Sequence, residues 1–297
     1  MAASTPRAAT LAILLPIAAV LVATAAFQGG ASMAKSLFPI LGAQGTATLR
    51  IILGALMLLA VARPWRNWPA RAPLRPLLGL GLATAGAVLF FYLALGRLPQ
   101  GVAIALQFLG PLGVAIAGSR RAADLIWTAL AAAGVWGLVG HDLSAGTGLD
   151  LLGVFWALCA AGSWAAYIVW GQAATQAFGR GAAPLAVAIA ALVILPFGVA
   201  QAGADLLRLD LLPWALLVAL VSTAIPFTLE MYALSRLPAK TFAVLTSLEP
   251  AYGALFGLLL LHETLALPQL GGLAAVIAAA GGAAWTSRPR TLLPAPD

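Results

Sequence analysis

The sequence predicts an all-α integral membrane protein: about ten transmembrane helices forming two inverted five-helix repeats around a central cavity. Composition, the lengths of the apolar runs and one repeated phrase carry that prediction. Of 297 residues, 62% are hydrophobic and 8% are charged, and the mean hydropathy is +1.00. Soluble globular chains are about one quarter charged because their surface must be hydrated. This chain has too few charges to cover a surface facing water.

The apolar runs fall between loops of Arg, Pro, Gly and Asp. Each is roughly 20 residues, the length that crosses about 30 Å of hydrocarbon at about 1.5 Å per residue. The expected spans are 9–34, 44–62, 74–96, 101–118, 123–140, 151–172, 182–200, 212–235, 241–261 and 267–286. Runs this apolar must be helical, since hydrocarbon leaves no partner for an unpaired backbone amide. The alternating pattern of a membrane β-barrel is missing from them. The first span carries Arg7, an apolar stretch from Leu11 and "ATA" at Ala23 to Ala25, a pattern compatible with leader cleavage. The small residues that continue past it favour a retained span. The single cysteine, Cys159, lies inside a span and excludes an intramolecular disulfide.

The repeated phrase is "ALGRLPQGVAIALQFLGP" at Ala94 to Pro111 and "ALSRLPAKTFAVLTSLEP" at Ala233 to Pro250, with eight of eighteen positions identical at an offset of 139. Five spans precede the middle of the chain and five follow. A tandem copy of an odd number of spans is inserted upside down. The two units are expected at 1–145 and 146–297. Inverted repeats are a transporter signature, because a midplane site between the copies can open to either side.

Orientation follows from the cations, which flank short loops on the cytoplasmic side. With the N-terminus inside, one side receives Arg7, Arg63, Arg66, Arg71, Arg75, Arg120, Arg121, Arg180, Arg236, Lys240, Arg288 and Arg290. The other receives Lys35, Arg50, Arg97 and Arg208, twelve against four. Both termini are therefore expected in the cytoplasm.

Pro111 and Pro250 fall inside the fourth and ninth spans. Each removes a backbone hydrogen bond and crowds the preceding turn, so each is an expected hinge. Interrupted helices at matching positions point to a binding site. Gln107 and Gly110 precede one proline; Thr246, Ser247 and Glu249 precede the other. A carboxylate at the depth of Glu249 is costly unless paired, hydrated or protonated. Glu249 is thus a candidate for a proton, for a substrate amine, or for capping the backbone groups that Pro250 releases. Glu230 lies near the inner end of its span, where snorkelling and a proton or cation site are both open. Lys35, Arg50 and Arg97 read as interface anchors.

Gln28 and Ser32 lie one turn apart on one helix face. Trp164 and Tyr167 in the sixth span, and Tyr92 in the third, are aromatic residues at cavity-lining or packing positions. Trp65, Trp68, Trp127, Trp156, Trp214 and Trp285 read as interface residues. Spans five and ten are rich in small residues, which suits close packing at the periphery or in a homodimer contact, away from substrate.

The duplicated "RLP…P" segments and the "SLEP" of Ser247 to Pro250 resemble the drug/metabolite transporter superfamily in its ten-helix EamA-type form. "FQGGASMAKSLFP" at Phe27 to Pro39 and "TLEMYALSRLPAKTF" at Thr228 to Phe242 are similar to bacterial threonine/homoserine and related amino-acid exporters. The resemblance implies a helical basket with a cavity lined by helices one, three, four, six, eight and nine. It also implies export of amino acids across the bacterial inner membrane. Relatives carry "LEFTGP" where this chain has "LQFLGP", so Gln107 is neutral in place of a carboxylate, while Glu249 matches.

The expected substrate site is Gln28, Ser32, Tyr92, Gln107, Trp164, Tyr167, Ser247 and Glu249. An exporter of lipophilic cations would lean on the same carboxylate and aromatic walls. A membrane-embedded enzyme lacks support: paired acids, a His/Cys ligand cluster and a Gly-x-Ser-x-Gly pattern are all missing from the sequence, as is a Walker loop. No cofactor, metal or nucleic-acid partner is expected. The expected partners are a small-molecule substrate and lipid, with the protein a monomer or homodimer.

Overall fold

The computed structural model describes residues 6–67, 69, 73–117, 124–145, 150–234, 236, 237 and 239–286. Arg71, Arg120, Arg121, Arg288, Arg290 and Trp68 lie outside the described residues. Helix occupies each of the ten expected intervals. In chain order these are α1 (Pro6–Lys35), α2 (Phe38–Ala62), α3 (Leu74–Leu95), α4 (Gln100–Gln107) with α5 (Leu109–Ala117), α6 (Asp124–Ala145), α7 (Leu151–Phe178), α8 (Ala182–Ala202), α9 (Leu212–Ala219) with α10 (Ile225–Leu234), α11 (Ala239–Thr246) with α12 (Glu249–Leu261), and α13 (Leu267–Thr286). Among the described residues, seven stretches are long and apolar enough to cross a membrane. The longest, Leu151–Leu207, contains both α7 and α8. Gln100–Val114 and Ile126–Leu138 are shorter apolar helices.

The breaks have local causes. Pro111 has no N–H to give Gln107, and α4 stops at Gln107. Pro250 likewise deprives Thr246, and α11 stops at Thr246. The helices therefore break one turn before the prolines, at Phe108 and at Ser247–Leu248. Between α9 and α10, Leu220–Ala224 forms a single π turn just ahead of Pro226, which absorbs that proline without splitting the rod. In α2, Gly42 adopts φ 67° and ψ 178°, which frees two amides of the next turn. Gln201 Oε1 of α8 accepts both, from Gln44 N at 2.7 Å and Gly45 N at 3.2 Å. A side chain at Gly42 would collide with that carboxamide.

The packing has a regular pairing. α3 lies along α7 and α1 along α10; α4 and α5 touch α7, as α11 and α12 touch α1. α2 packs on α8, α4 on α12, and α6 on α13. Close approach is bought with small side chains: Gly134 and Gly137 of α6 meet the backbone at Gly272 of α13. Ala47, Ala94, Ala103, Ala160, Ala190 and Ala219 have no exposed surface. Large apolar side chains such as Leu56, Leu82, Leu192 and Leu259 stand outward instead, where lipid solvates them.

Candidate functional site

The broken and kinked helices converge on a cavity of about 150 Å³. α1 contributes Phe27 and Gln28, and α2 Arg50 and Ile51. α3 contributes Thr84, Val88, Phe91 and Tyr92, α4 contributes Ile104 and Gln107, and α7 contributes Trp164 and Tyr167. Phe227 and Glu230 enter from α10 and Glu249 from the first turn of α12. The described residues of α6 and α13 do not line it, in keeping with a peripheral place for that pair.

Each polar group is held by its element. Ending α11 at Thr246 starts α12 at Glu249, so the carboxylate sits at a helix N-terminus, where the dipole and free amides favour negative charge. Glu249 is buried, and Glu230 lies near enough to interact with it electrostatically. Gln107 Nε2 points to Ala87 O at 3.4 Å across the α3–α4 contact. Trp164 meets Phe108 edge to face at 5.4 Å, which fixes it against the α4 break. Gly110 makes this approach possible, because a Cβ there would enter the Ala161 carbonyl of α7.

Six of the eight expected substrate-site residues line the cavity: Gln28, Tyr92, Gln107, Trp164, Tyr167 and Glu249. Ser32 and Ser247 do not. Ser32 sits one turn above Gln28, and its hydroxyl donates to Gln100 Oε1 at 2.7 Å. Ser247 lies in the helix break, donates to Val244 O at 2.6 Å and abuts Gly281 of α13. Two residues along that turn, Glu249 faces the cavity. Glu230 reaches the cavity as well, in place of snorkelling to the membrane edge.

The three cations read as anchors are all engaged within the protein. Lys35 Nζ pairs with Glu263, and Arg97 Nη1 pairs with Asp150 Oδ2 at 2.7 Å. Arg50 is buried, and its Nη1 donates to the Tyr92 hydroxyl at 3.1 Å. Arg50 shares its face of α2 with buried Thr46, Ala47 and Gly54, at helical spacing. That stripe of small residues was the sequence signal that this arginine turns inward. Trp156, read as an interface residue, is half-buried and stacks on Phe90 at 5.5 Å.

A network closes over the cavity at the end formed by the C-terminus of α1 and the N-terminus of α4. Gln100, fully buried, donates from Nε2 to Gln28 O at 2.8 Å and to Gln28 Oε1 at 3.2 Å. Its backbone N–H donates to Glu263 Oε2 at 2.6 Å, while Glu263 Oε1 takes Lys35. Asp150 caps α7 through Gly153 N at 3.0 Å, and Arg97 holds its carboxyl below the usual range.

A cavity lined by interrupted helices, walled by aromatic rings and furnished with a few ionisable groups, in a chain this apolar, defines a membrane transporter. The EamA-like transporter family matches residues 151–284. The chain is 46% identical over 276 residues to the threonine/homoserine exporter RhtA of Escherichia coli strain K12, covering 92% of each. It is 45% identical over 280 residues to the exporter of the same name from Salmonella typhimurium strain LT2, covering 94% of each. A solved crystal structure at 18% identity superposes with a TM-score of 0.58 over 93% of this chain and 97% of that one, which shows a shared fold. The chain belongs to the EamA-like transporter family and is a transporter, not an enzyme.

Proposed function

We propose that this protein exports amino acids of the small hydroxylated kind, the class of threonine and homoserine, across a bacterial inner membrane. The observation that carries the reading is the cavity: carboxylates, amides and aromatic rings line one space in a chain 46% identical to named amino-acid exporters. Glu249 receives the substrate ammonium, with Glu230 a second carboxylate for a proton or cation. Gln28 and Gln107 orient the polar end, and Tyr92, Trp164 and Tyr167 face the side chain.

Transport is by alternating access between two inverted units, 1–145 and 146–297. Supporting this, α4–α5 and α11–α12 break at positions 139 residues apart, and the helix pairing keeps its pattern when the halves are exchanged. All ten helical rods cross the bilayer, with both termini cytoplasmic. The Lys35–Glu263 end is then the outer end, and the structure is the form tied shut toward the outside. The buried Arg50 in the wall disfavours lipophilic cations, because a second positive charge there raises the cost of entry.

The test is efflux of labelled threonine and homoserine from proteoliposomes holding the purified protein, with quaternary ammonium compounds as competitors. Saturable amino-acid efflux that these compounds do not compete with is expected. Efflux of the cations without amino-acid movement would overturn the reading.

A further inference from the structure

Among the described residues Arg50 is the one arginine that lines the cavity, and it makes no ion pair. It is 7% exposed. Among the described residues no acidic side chain pairs with it: Lys35 takes Glu263, Arg97 takes Asp150 and Arg208 takes Asp210. Among the described residues its side chain makes one hydrogen bond, Nη1 to the Tyr92 hydroxyl, and its Nε is buried without a partner. A guanidinium has five N–H donors, and leaving a buried charge and donor unmet is costly. Buried cations in a membrane protein are retained where they have a partner or a function.

Its setting is also built. The Arg50 Cζ lies 5.3 Å from the Tyr92 ring centroid, and Tyr92 is fully buried between Phe38, at 5.9 Å, and Phe91, at 6.1 Å. The guanidinium is thereby held on a rigid aromatic support, with further donors left for an anion. A carboxylate matches that planar fork with two parallel hydrogen bonds.

We infer that Arg50 is the carboxylate-recognition residue of the transport cavity, taking the α-carboxylate of the substrate while Glu249 and Glu230, on the other half of the chain, face its ammonium. This rests on the amino-acid reading above and adds the group that sets the substrate's charge class. The zwitterion bridges α2 on one side and α10 with α12 on the other, so its two charges are read by different halves of the chain. Compounds with an amine and no carboxylate leave the guanidinium unmet and are rejected.

The experiment compares threonine with threoninamide and threoninol, which keep the amine and side chain but lack the carboxylate. Each competes against labelled threonine in proteoliposomes of the wild type, Arg50→Gln and Arg50→Lys. The wild type is expected to favour threonine over both analogues by at least about tenfold. Arg50→Gln is expected to lose threonine roughly 10- to 100-fold, the scale of a charge-assisted contact, and to keep threoninamide within about twofold. Arg50→Lys keeps the charge without the fork and falls between them. Wild-type discrimination in Arg50→Gln would overturn the assignment and leave the exporter reading standing. A wild type that moves no amino acid would sink the exporter reading instead. If Arg50→Gln does not fold, Arg50→Lys and Tyr92→Phe decide: both must weaken discrimination, and unchanged discrimination in both overturns the assignment.

Discussion

Lys35 and Glu263 stand 228 residues apart in the chain and form an ion pair that ties the C-terminus of α1 to the turn after α12. The other oxygen of the same carboxylate holds the first amide of α4 through Gln100 N. One side chain therefore fastens three segments over the cavity. Removing its charge frees the α4 N-terminus and releases the Ser32–Gln100–Gln28 chain beneath it. In a background with Cys159 replaced by Ala, Ser32→Cys is buried and reacts slowly with an impermeant maleimide added outside. Adding Glu263→Gln should raise that labelling rate several-fold. An unchanged rate would show that the network does not hold this end closed.

Glu249 is the more buried of the two cavity carboxylates and occupies a helix start created by Pro250. Glu249→Gln preserves size and removes the anion. A hydrogen bond to a charged group contributes about 1.5–3 kcal/mol, or roughly 10- to 100-fold in binding. Threonine affinity should fall by that range in a competition assay, with the melting temperature retained or raised, because a desolvated carboxylate is itself costly to bury. Wild-type affinity in Glu249→Gln would remove Glu249 from the site.

Gly110 has no room for a side chain, since a Cβ would enter the Ala161 carbonyl of α7. Backbone cannot yield as a flexible side chain does. Gly110→Ala should push α5 off α7 and cost about 1–3 kcal/mol, the usual scale of overpacking. It would also disturb the Phe108–Trp164 contact next to it. The check is a lower melting temperature in detergent together with reduced efflux. Gly113, with nothing within 4 Å of its Cβ position, is the matched control and should tolerate alanine.

Asp150 joins the two loops at the tied end, capping α7 and accepting from Arg97. Its depressed carboxyl titration in the folded protein means that folding favours the ionised form. That stabilisation is present above the ordinary carboxylate range and is lost as pH falls through the depressed value. The melting temperature of the wild type should exceed that of Asp150→Ala near neutrality, and the gap should narrow on acidification below that range. A gap independent of pH would assign the effect to packing.

Much of this was legible from residues alone. Hydropathy placed the ten helical intervals because a helix in hydrocarbon has a minimum length and no alternative backbone pairing. The prolines announced the breaks at Phe108 and Ser247–Leu248, displaced by one turn because a proline deprives the carbonyl four residues back. Gln28, Gln107, Glu230 and Glu249 line the cavity, as expected of polar groups at depth that must face a cavity or a partner. Arg50 as a cavity-lining residue and Gln100 as a buried member of the network were missed. Arg50 lies near the start of the expected span 44–62, but α2 begins at Phe38 and so places it mid-helix. Gln100, at a helix start, looks like a surface feature until α4 packs on α12. Ser32 and Ser247 stand off the cavity wall, the first donating its hydroxyl to Gln100 Oε1 and the second to Val244 O within its own turn.

The account depends on the two units lying upside down to one another in the membrane, and the Arg-Leu-Pro turns mark the same point in each. Single cysteines at Arg97 and Arg236, placed one at a time in the Cys159→Ala background, report their compartments through impermeant maleimide on intact cells and on inverted vesicles. The structure and the distribution of cations predict that R97C reacts from outside and R236C only from the cytoplasmic face. Reaction of both from the same side would contradict the inverted arrangement, and with it alternating access through the cavity between the halves.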